Sequence, residues 1–508
     1  MVSESAPSVY ARLVELPREL EHTMPNQECD VLVVGCGVAG LTAALSAVQQ
    51  GARTVVIERA PQSERGGNTR YTTAALRMRS ETEVAPDFET EFAANAGYHL
   101  DPAMVAETAA DYANWPAIVK TMNMTDPELI SVFAQRAPAT IAWLKEHGVR
   151  YAEMPYYGLT ARSSPRIGIS GGGYALIEAL CPEIEARGGQ FLYQTTARSL
   201  ALDEHADAID TTASDGGGLK VTIRASSVVL ASGGFQGNPE MVARYIGPTG
   251  RYLRPIARGG YYNKGEGIEM ALALGAAPAG DYSDYHSQPI DPRSGKTEPL
   301  VMIFTQGILV NRNGRRFVDE APGSIDAHYE RICRIIAGQP GGIAYCILDS
   351  KVDDIENWQR CVRSDQAPVE ASSLVELAAR LDIPCAAFSN AVASYNAACT
   401  GDGFDPFIVD GQATAGIEPH KSNWARPLDQ PPFKAYPVTA SNTFTFGGLK
   451  VDPHARVLNT DGKPIRGLYA AGETLGLYYN RYPGATSVLR GAVFGKLAGA
   501  HAANRKHS

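Results

Sequence analysis

The chain has 508 residues, 44% hydrophobic and 20% charged, with a formal net charge of −9 at pH 7. This length supports about two to four domains with sizeable cores, and the composition is that of a folded globular protein. The acidic balance excludes nucleic acid and an anionic membrane surface as partners, since both need a basic face.

Residues 1–28 carry Glu4, Arg12, Glu15, Arg18 and Glu19 without the apolar stretch of a signal peptide, and read as a short amphipathic extension. Residues 30–34 form an apolar run expected to be a buried parallel strand. Gly35, Gly37 and Gly40 follow in G-x-G-x-x-G spacing, with Val38 and Ala39 between them, and open a helix that Gly51 stops. A second strand over 54–57 ends at Glu58. The three glycines serve a tight turn, a close backbone approach to a pyrophosphate and helix–strand packing. The helix N-terminus offers N–H groups and a positive dipole end to phosphates. Glu58 stands where a carboxylate accepts from a ribose 2′-OH. In this order the pieces mark a dinucleotide site. A membrane span over 29–48 is excluded by Asp30 and the three glycines.

Helices are expected over 101–124 and 127–148, the second with Trp143 inward and Gly148 as its stop. Ser170-Gly-Gly-Gly-Tyr174 leads into a helix over 175–187. Strand-like residues 190–202 and 219–224 flank a polar turn rich in Asp and Gly, which suggests a small antiparallel insert. Val228-Val-Leu-Ala-Ser-Gly-Gly-Phe235 is a buried strand running into a glycine turn. From about residue 284 the chain becomes irregular, with helices near 324–338 and 371–399. An α+β domain over 284–438 is therefore expected, inserted into an α/β domain made of 29–283 and 439–508. Strand 444–451 leads back, Gly467-Leu-Tyr-Ala-Ala-Gly-Glu473 is a further strand ending in a carboxylate, and 487–503 is a glycine-spaced helix. No second G-x-G-x-x-G follows a strand, which argues against a layout with two dinucleotide folds. Eight cysteines without a C-x-x-C pair read as reduced thiols of a cytoplasmic protein, with no disulfide frame and no metal site expected.

Five of these segments together resemble the fumarate reductase and succinate dehydrogenase flavoprotein superfamily. They are the G-x-G-x-x-G unit with Glu58, Gly66-Gly-Asn-Thr69, 228–235, Asn311-Arg-Asn-Gly-Arg-Arg-Phe-Val-Asp-Glu320, and 467–473 with Tyr482-Pro-Gly-Ala-Thr486. The chain looks most like the soluble tricarballylate and 3-ketosteroid dehydrogenases, over residues 29–503. The resemblance implies a Rossmann-like FAD-binding domain with an inserted capping domain. It implies FAD held by Gly35, Gly37, Val38, Ala39, Gly40, Glu58, Arg59, Gly66, Gly67, Asn68 and Thr69. Further FAD contacts are implied at Ala197, Ser232, Gly233, Gly472, Glu473, Ser487, Val488 and Leu489. Asn68 stands where membrane-bound relatives carry a flavinylated histidine, so the FAD is expected to be non-covalent. The helix opening near Ser487 would aim its dipole at the flavin N1/C2=O end.

The same resemblance implies hydride transfer between a substrate carbon and flavin N5, with a proton moved by a side chain. The catalytic arginine of the reductases is missing from Ala321-Pro-Gly-Ser-Ile-Asp326, as is the tyrosine of the ketosteroid enzymes; Tyr329 is the nearest. A reductase histidine pair falls on Thr443 and Phe444, and a Thr-Glu-Arg clamp falls near the apolar Pro299-Leu-Val-Met-Ile-Phe304. His286 matches a substrate-binding histidine and Arg481 a carboxylate-gripping arginine. Tyr482 and the N–H of Gly484 match a carbonyl-polarising pair. The expected roles are Arg481 as carboxylate anchor, Tyr482 as carbonyl activator or base, His286 as substrate ligand and Tyr329 as proton acceptor. Arg490 is expected to be structural or flavin-facing. The expected activity is α,β-desaturation of a small acid, such as a cyclic keto acid or a tricarballylate-like polycarboxylate, with an external electron acceptor (oxygen, quinone or a carrier protein). Alternatives are a reductase of an unsaturated acid or enone, and a non-catalytic FAD-binding redox sensor.

Overall fold

The computed structural model describes residues 27–94, 112–205 and 207–505. The strand–turn–helix–strand unit forms as expected: β1 (Gln27–Val34), α1 (Val38–Gln49) and β2 (Thr54–Ile57). β1 and β2 pair in parallel, from Val31 opposite Thr54 to Val34 opposite Ile57. α2 (Pro127–Glu146) starts where the Asp126 carboxylate accepts from the N–H groups of Glu128 and Leu129, and stops before Gly148 at φ +88°. Trp143 is buried, as its helical phase requires. The helix expected over 101–124 lies partly outside the described residues, as does most of the 1–28 extension. Its described part forms two short 3₁₀ turns, Tyr112–Asn114 and Val119–Thr121. Pro116 between them removes a donor and breaks an α-helix.

α3 (Gly172–Ala186) is followed by β3 (Gln190–Leu192), β4 (Thr196–Leu202), β5 (Ile209–Ser214) and β6 (Lys220–Leu230). β4, β5 and β6 form the antiparallel insert. The polar turn expected between its strands contains β5, whose residues alternate between buried and partly buried. β6 pairs with β5 from Lys220 to Ala225 and, from Ile223 to Leu230, runs parallel beside β1.

Further along come β7 (Ile308–Asn311), α4 (Ile325–Ala337), β8 (Ile343–Leu348), α5 (Leu374–Leu381), α6 (Cys385–Ala398) and β9 (Phe433–Asn442). β10 (Arg456–Leu458), β11 (Pro464–Ala470) and α7 (Ser487–Asn504) close the chain. The strand expected over 444–451 is broken into Phe444–Thr445 and Gly448–Leu449.

Two sheets result. The main one has the order β10–β11–β6–β1–β2–β3, parallel from β11 to β3 with β10 antiparallel at the edge. Residues 31–34 of β1, 55–57 of β2 and 228–230 of β6 are apolar and buried, as central parallel strands require. The second sheet is built on antiparallel β7, β8 and β9, with α4 packing Cys333 and Ala337 on Ala440 of β9. Its short strands reach back to Arg254–Pro255, and β9 runs to Asn442, so the sheet extends past both ends of the expected 284–438 segment. This is the expected class, a Rossmann-like α/β domain with an α+β insertion. Among the described residues no helix is long and apolar enough to cross a membrane.

α7 lies against α1 through Gly491, Gly495 and Gly499. A Cβ on Gly491 would stand 2.7 Å from Cγ1 of Val38, and one on Gly495 would overlap the Ala39 carbonyl and the Thr42 hydroxyl. Gly495→Ala should therefore push the two helices apart and cost about 1–3 kcal/mol, read as a lower denaturant midpoint. An unchanged midpoint would show that the interface has slack.

Candidate active site

One cavity, with about 1680 Å³ of empty space out to its solvent mouth, opens at the carboxyl ends of β1, β2, β6 and β11. That is where an open parallel sheet binds ligands. Its first half is the glycine turn after β1. The N–H of Val38 donates to the Thr69 hydroxyl at 3.0 Å and that of Leu41 to the Gly37 carbonyl, so the N–H groups of Ala39 and Gly40 have no protein acceptor among the described residues. Gly40 does not line the cavity; a Cβ there would overlap the Gly35 carbonyl, so its role is the close helix–strand approach. The buried Glu58 carboxylate accepts from the N–H groups of Cys36 (2.9 Å) and Ala60 (2.8 Å), and burial raises its pKa. Arg59 is held by Glu266 at 2.5 Å and the Tyr262 carbonyl at 2.9 Å.

Gly66, Gly67, Asn68, Thr69, Ala197, Ser232, Gly233, Gly472, Glu473, Ser487 and Val488 all line the same cavity. Asn68 donates to the Thr443 carbonyl at 2.9 Å, while its Oδ1 is buried with no partner, as is Oγ of Ser232. Glu473 accepts from the Thr445 N–H at 2.8 Å and from Gln236 and Asn263 at 3.3 Å each, and burial raises its pKa. The open helix N–H groups, the orphaned Ser232 and Asn68 oxygens and the side-chain-free turns fit the polar groups of FAD. Leu489 does not line the cavity: one step along α7 from Val488, it turns into the core and Arg490 comes forward instead. Arg490 is buried over the Tyr478 ring at 4.4 Å and donates to the Leu475 carbonyl.

The second half of the cavity is lined by His286, Tyr329, Phe444, Tyr482, Gly484 and Arg166. His286 reaches it from the two-residue ladder that pairs Tyr285–His286 with Phe444–Thr445. Its Nδ1 lies 3.2 Å from Oε2 of Glu330 on α4. The other Glu330 oxygen accepts from Arg334 at 2.5 Å, and Arg334 in turn reaches Asp284 at 2.6 Å. Burial pushes the Asp284 carboxyl up to about 7 despite that arginine.

Three expected roles change with these positions. Arg481 does not line the cavity; its side chain is 47% exposed and pairs with Glu91 at 2.7 Å. A tight turn with Asn480 at φ +50° sends Arg481 outward and the next residue, Tyr482, inward. The Tyr482 oxygen accepts from the N–H groups of Thr486 and Ser487, both at 2.9 Å, and so caps α7. Its ring stands 4.5 Å from that of His286. It orients the histidine and holds the helix start, rather than presenting a free hydroxyl to a carbonyl. Burial and the nearby carboxylates of Glu330 and Asp326 push the Tyr329 phenol upward, which favours its protonated form at neutral pH and disfavours the role of base.

The sequence reading missed Arg166, Gln288 and Glu298, which also line the cavity. Arg166 pairs with Asp326 at 3.0 Å and lies in an irregular stretch that carries no motif. Glu298, paired with Arg363 at 2.8 Å, stands one residue before the apolar 299–304 run; the adjacent Thr297 and Glu298 were the available signal. All eight cysteines are free.

The chain belongs to the FAD binding domain family, whose model matches residues 30–489. It is 28% identical to an NADH:acrylate oxidoreductase of Vibrio harveyi, over 94% of this chain and 51% of that protein. It is 25% identical to a 3-oxosteroid 1-dehydrogenase of Mycolicibacterium smegmatis, over 94% of this chain and 97% of that protein. The open conformation of a flavocytochrome c3 fumarate reductase superposes with a TM-score of 0.69 at 23% identity, covering 95% of this chain and 79% of that one. The chain spans about half the length of the first curated relatives that it matches. The superfamily expected from the sequence motifs is the one these matches support, and the cofactor is FAD.

Glu58→Ala would leave the Cys36 and Ala60 N–H groups without acceptors, at about 1–3 kcal/mol each. It should lower the flavin content of the purified protein several-fold; full occupancy would exclude a role in the cradle. Asp284 carries a pH prediction. Between about pH 4, the ordinary carboxylate range, and about 7, the folded chain holds a proton at Asp284 that the unfolded chain has lost. Its stability contribution therefore falls as pH rises through that window. Asp284→Asn should flatten this part of a plot of urea midpoint against pH. An unchanged slope would mean that Asp284 is ionised throughout.

Proposed function

We propose that this chain is an FAD-dependent dehydrogenase that removes two hydrogens from a CH–CH bond beside a carbonyl or carboxylate. The observation that carries the reading is that one cavity joins the glycine cradle to a buried histidine–carboxylate pair and a protonated phenol. Bound FAD supplies a two-electron acceptor for hydride. The remaining task, loss of the α-proton, falls to side chains: a base at the α-carbon and donors at the carbonyl oxygen.

His286 is the base in this reading. With Nδ1–H directed at Glu330, Nε2 keeps its lone pair, and the carboxylate stabilises the imidazolium once the proton arrives. Arg334 fixes the Glu330 carboxylate from its far side. Tyr329 donates its O–H to the substrate oxygen. Arg166, already buried beside the site, takes the anchoring role expected of Arg481. Phe444 and Tyr482 pack against the imidazole and against each other, and this three-ring cluster keeps water from that side of it. The 284–438 segment, which supplies His286, Tyr329 and Glu330, is the substrate-covering part in this proposal, and 29–283 with 439–508 the flavin-holding part. Asn68 offers an amide rather than a nucleophile, which supports non-covalent FAD, and eight free thiols support a reducing, cytoplasmic setting. An external acceptor re-oxidises the flavin.

The reverse reaction, reduction of an unsaturated acid or enone, is the second reading. It is favoured by Tyr329, whose phenol stays protonated and is suited to donate, and by the activity named for the Vibrio relative.

Anaerobic mixing of the flavin-loaded protein with saturated cyclic keto acids and polycarboxylates should bleach its yellow absorbance. Bleaching by a chemical reductant alone, followed by recolouring with an unsaturated acid, would select the reverse direction. His286→Gln should slow the bleaching by about 10²–10⁴-fold at normal flavin content, and a wild-type rate would remove His286 as the base.

A further inference from the structure

A second, smaller cavity, with about 520 Å³ of empty space out to its open mouth, adjoins the first beside Tyr329 and Arg166. The two share Met154, Arg166, Gln288, Glu298 and Tyr329 in their walls, so a molecule held over His286 can extend from one into the other. The side walls of the second cavity are apolar, formed by Leu300, Met302 and Ile325. Its polar end is formed by Tyr156 and Arg162.

The charges at that end do not balance. Arg166 is matched by Asp326, and Glu298 by Arg363. Arg162 has no carboxylate partner among the described residues. It donates to the Met154 carbonyl at 2.6 Å and lies over the Tyr156 ring at 4.6 Å. Its Nε, the Nε of Arg166 and the hydroxyl of Tyr156 are all buried without a hydrogen-bond partner. Three orphaned donors stand on the walls of one small cavity, two of them on guanidinium groups, and one anion would give them an acceptor. The placing of Tyr156 is itself specific: its hydroxyl lies against Gly158, where a Cβ would stand 2.5 Å from the oxygen. Only a residue without a side chain allows it, and the Gly158 carbonyl is held by Arg360 at 2.9 Å.

We propose that this second cavity is a binding pocket for the remote end of the substrate, and that it accepts an anionic group, a carboxylate by its size and geometry, on Arg162 and Tyr156. This inference rests on the reading of the first cavity as the place of reaction, and it narrows the substrate class. The substrate has a reactive carbonyl or carboxylate end over His286, a flat apolar body between Leu300, Met302 and Ile325, and a second anion at its far end. A short four-carbon dicarboxylate lacks the apolar body that these walls would cover.

The test uses two compounds that differ only at the far end: 3-phenylpropanoate and 3-(4-carboxyphenyl)propanoate. Binding of each to the flavin-loaded protein is measured by calorimetry. The two-ended compound should bind wild-type protein about tenfold more tightly, the worth of one charge-assisted contact to a half-buried guanidinium. That ratio should fall close to one in Arg162→Met, fall in Tyr156→Phe, and recover in part in Arg162→Lys. Melting temperature and flavin content identify any variant that fails to fold, and Tyr156→Phe keeps the test open in that case. Equal binding of the two compounds by wild-type protein, no binding of either, or a ratio unmoved by the variants would overturn the pocket. Bleaching by the same compounds is followed separately. A ratio that depends on Arg162 without bleaching or recolouring in either direction would leave the pocket standing and remove the reaction assigned to the first cavity.

Discussion

The site depends on a side chain that is missing. Gly35, at φ +107°, brings its α-carbon so close to the Ala231 carbonyl that a Cβ would overlap it. This contact locks the carboxyl end of β1 to that of β6, and the N–H of Ala231 donates to the Val34 carbonyl beside it at 2.9 Å. The turns that follow the two strands, 35–40 and 231–233, are thereby set side by side as two walls of one cleft. Gly40 repeats the device one turn later by letting α1 sit directly on the Gly35 carbonyl. The helix N-terminus is thus aimed by steric exclusion, and the backbone itself becomes the binding surface.

From this rigid half the reacting histidine is reached through a short ladder, where His286 lies opposite Phe444. His286, Glu330, Arg334 and Asp284 come from two elements of the second sheet's layer and touch the flavin half through side chains. The electrostatics differ accordingly. In the cradle, carboxylates such as Glu58 and Glu473 are saturated by backbone and amide donors. In the reacting half, charges face each other in pairs. Arg162, on the cavity wall, has no carboxylate partner among the described residues.

The fold was legible where local chemistry and tertiary need agreed. The apolar runs at 30–34 and 228–235 are strands because both sheet faces are buried, and Gly148 ends α2 because only glycine takes that φ without strain. Legibility failed where a polar sequence hid its period, as in β5, and where Pro116 divided a run that otherwise reads as helical. In the site, the cradle residues were legible because their spacing is dictated by a phosphate-sized ligand. Arg166 and Arg162 were not, since they lie in an irregular segment whose direction is set by contacts with α4, through Asp326, rather than by any pattern of its own. Arg481 misled for a related reason: motif position says which turn a residue occupies, but one residue of alternation decides which side of the turn it faces.

The strand order has a consequence for how the protein is made. β1 is made early among the described strands, yet its neighbour β6 follows only after residue 220, and the outer edge of the end of β6 stays unpaired until β11 ends at Ala470. α7, which covers α1, comes later still. Contacts of such long sequence separation form slowly, and uncovered parallel strands are adhesive while they wait. Nearly the whole chain is therefore synthesised before its nucleotide-binding sheet can close. β1 and α1 meet β2 and α3 early, whereas the β11 edge of the sheet and the α7 cover over α1 arrive last.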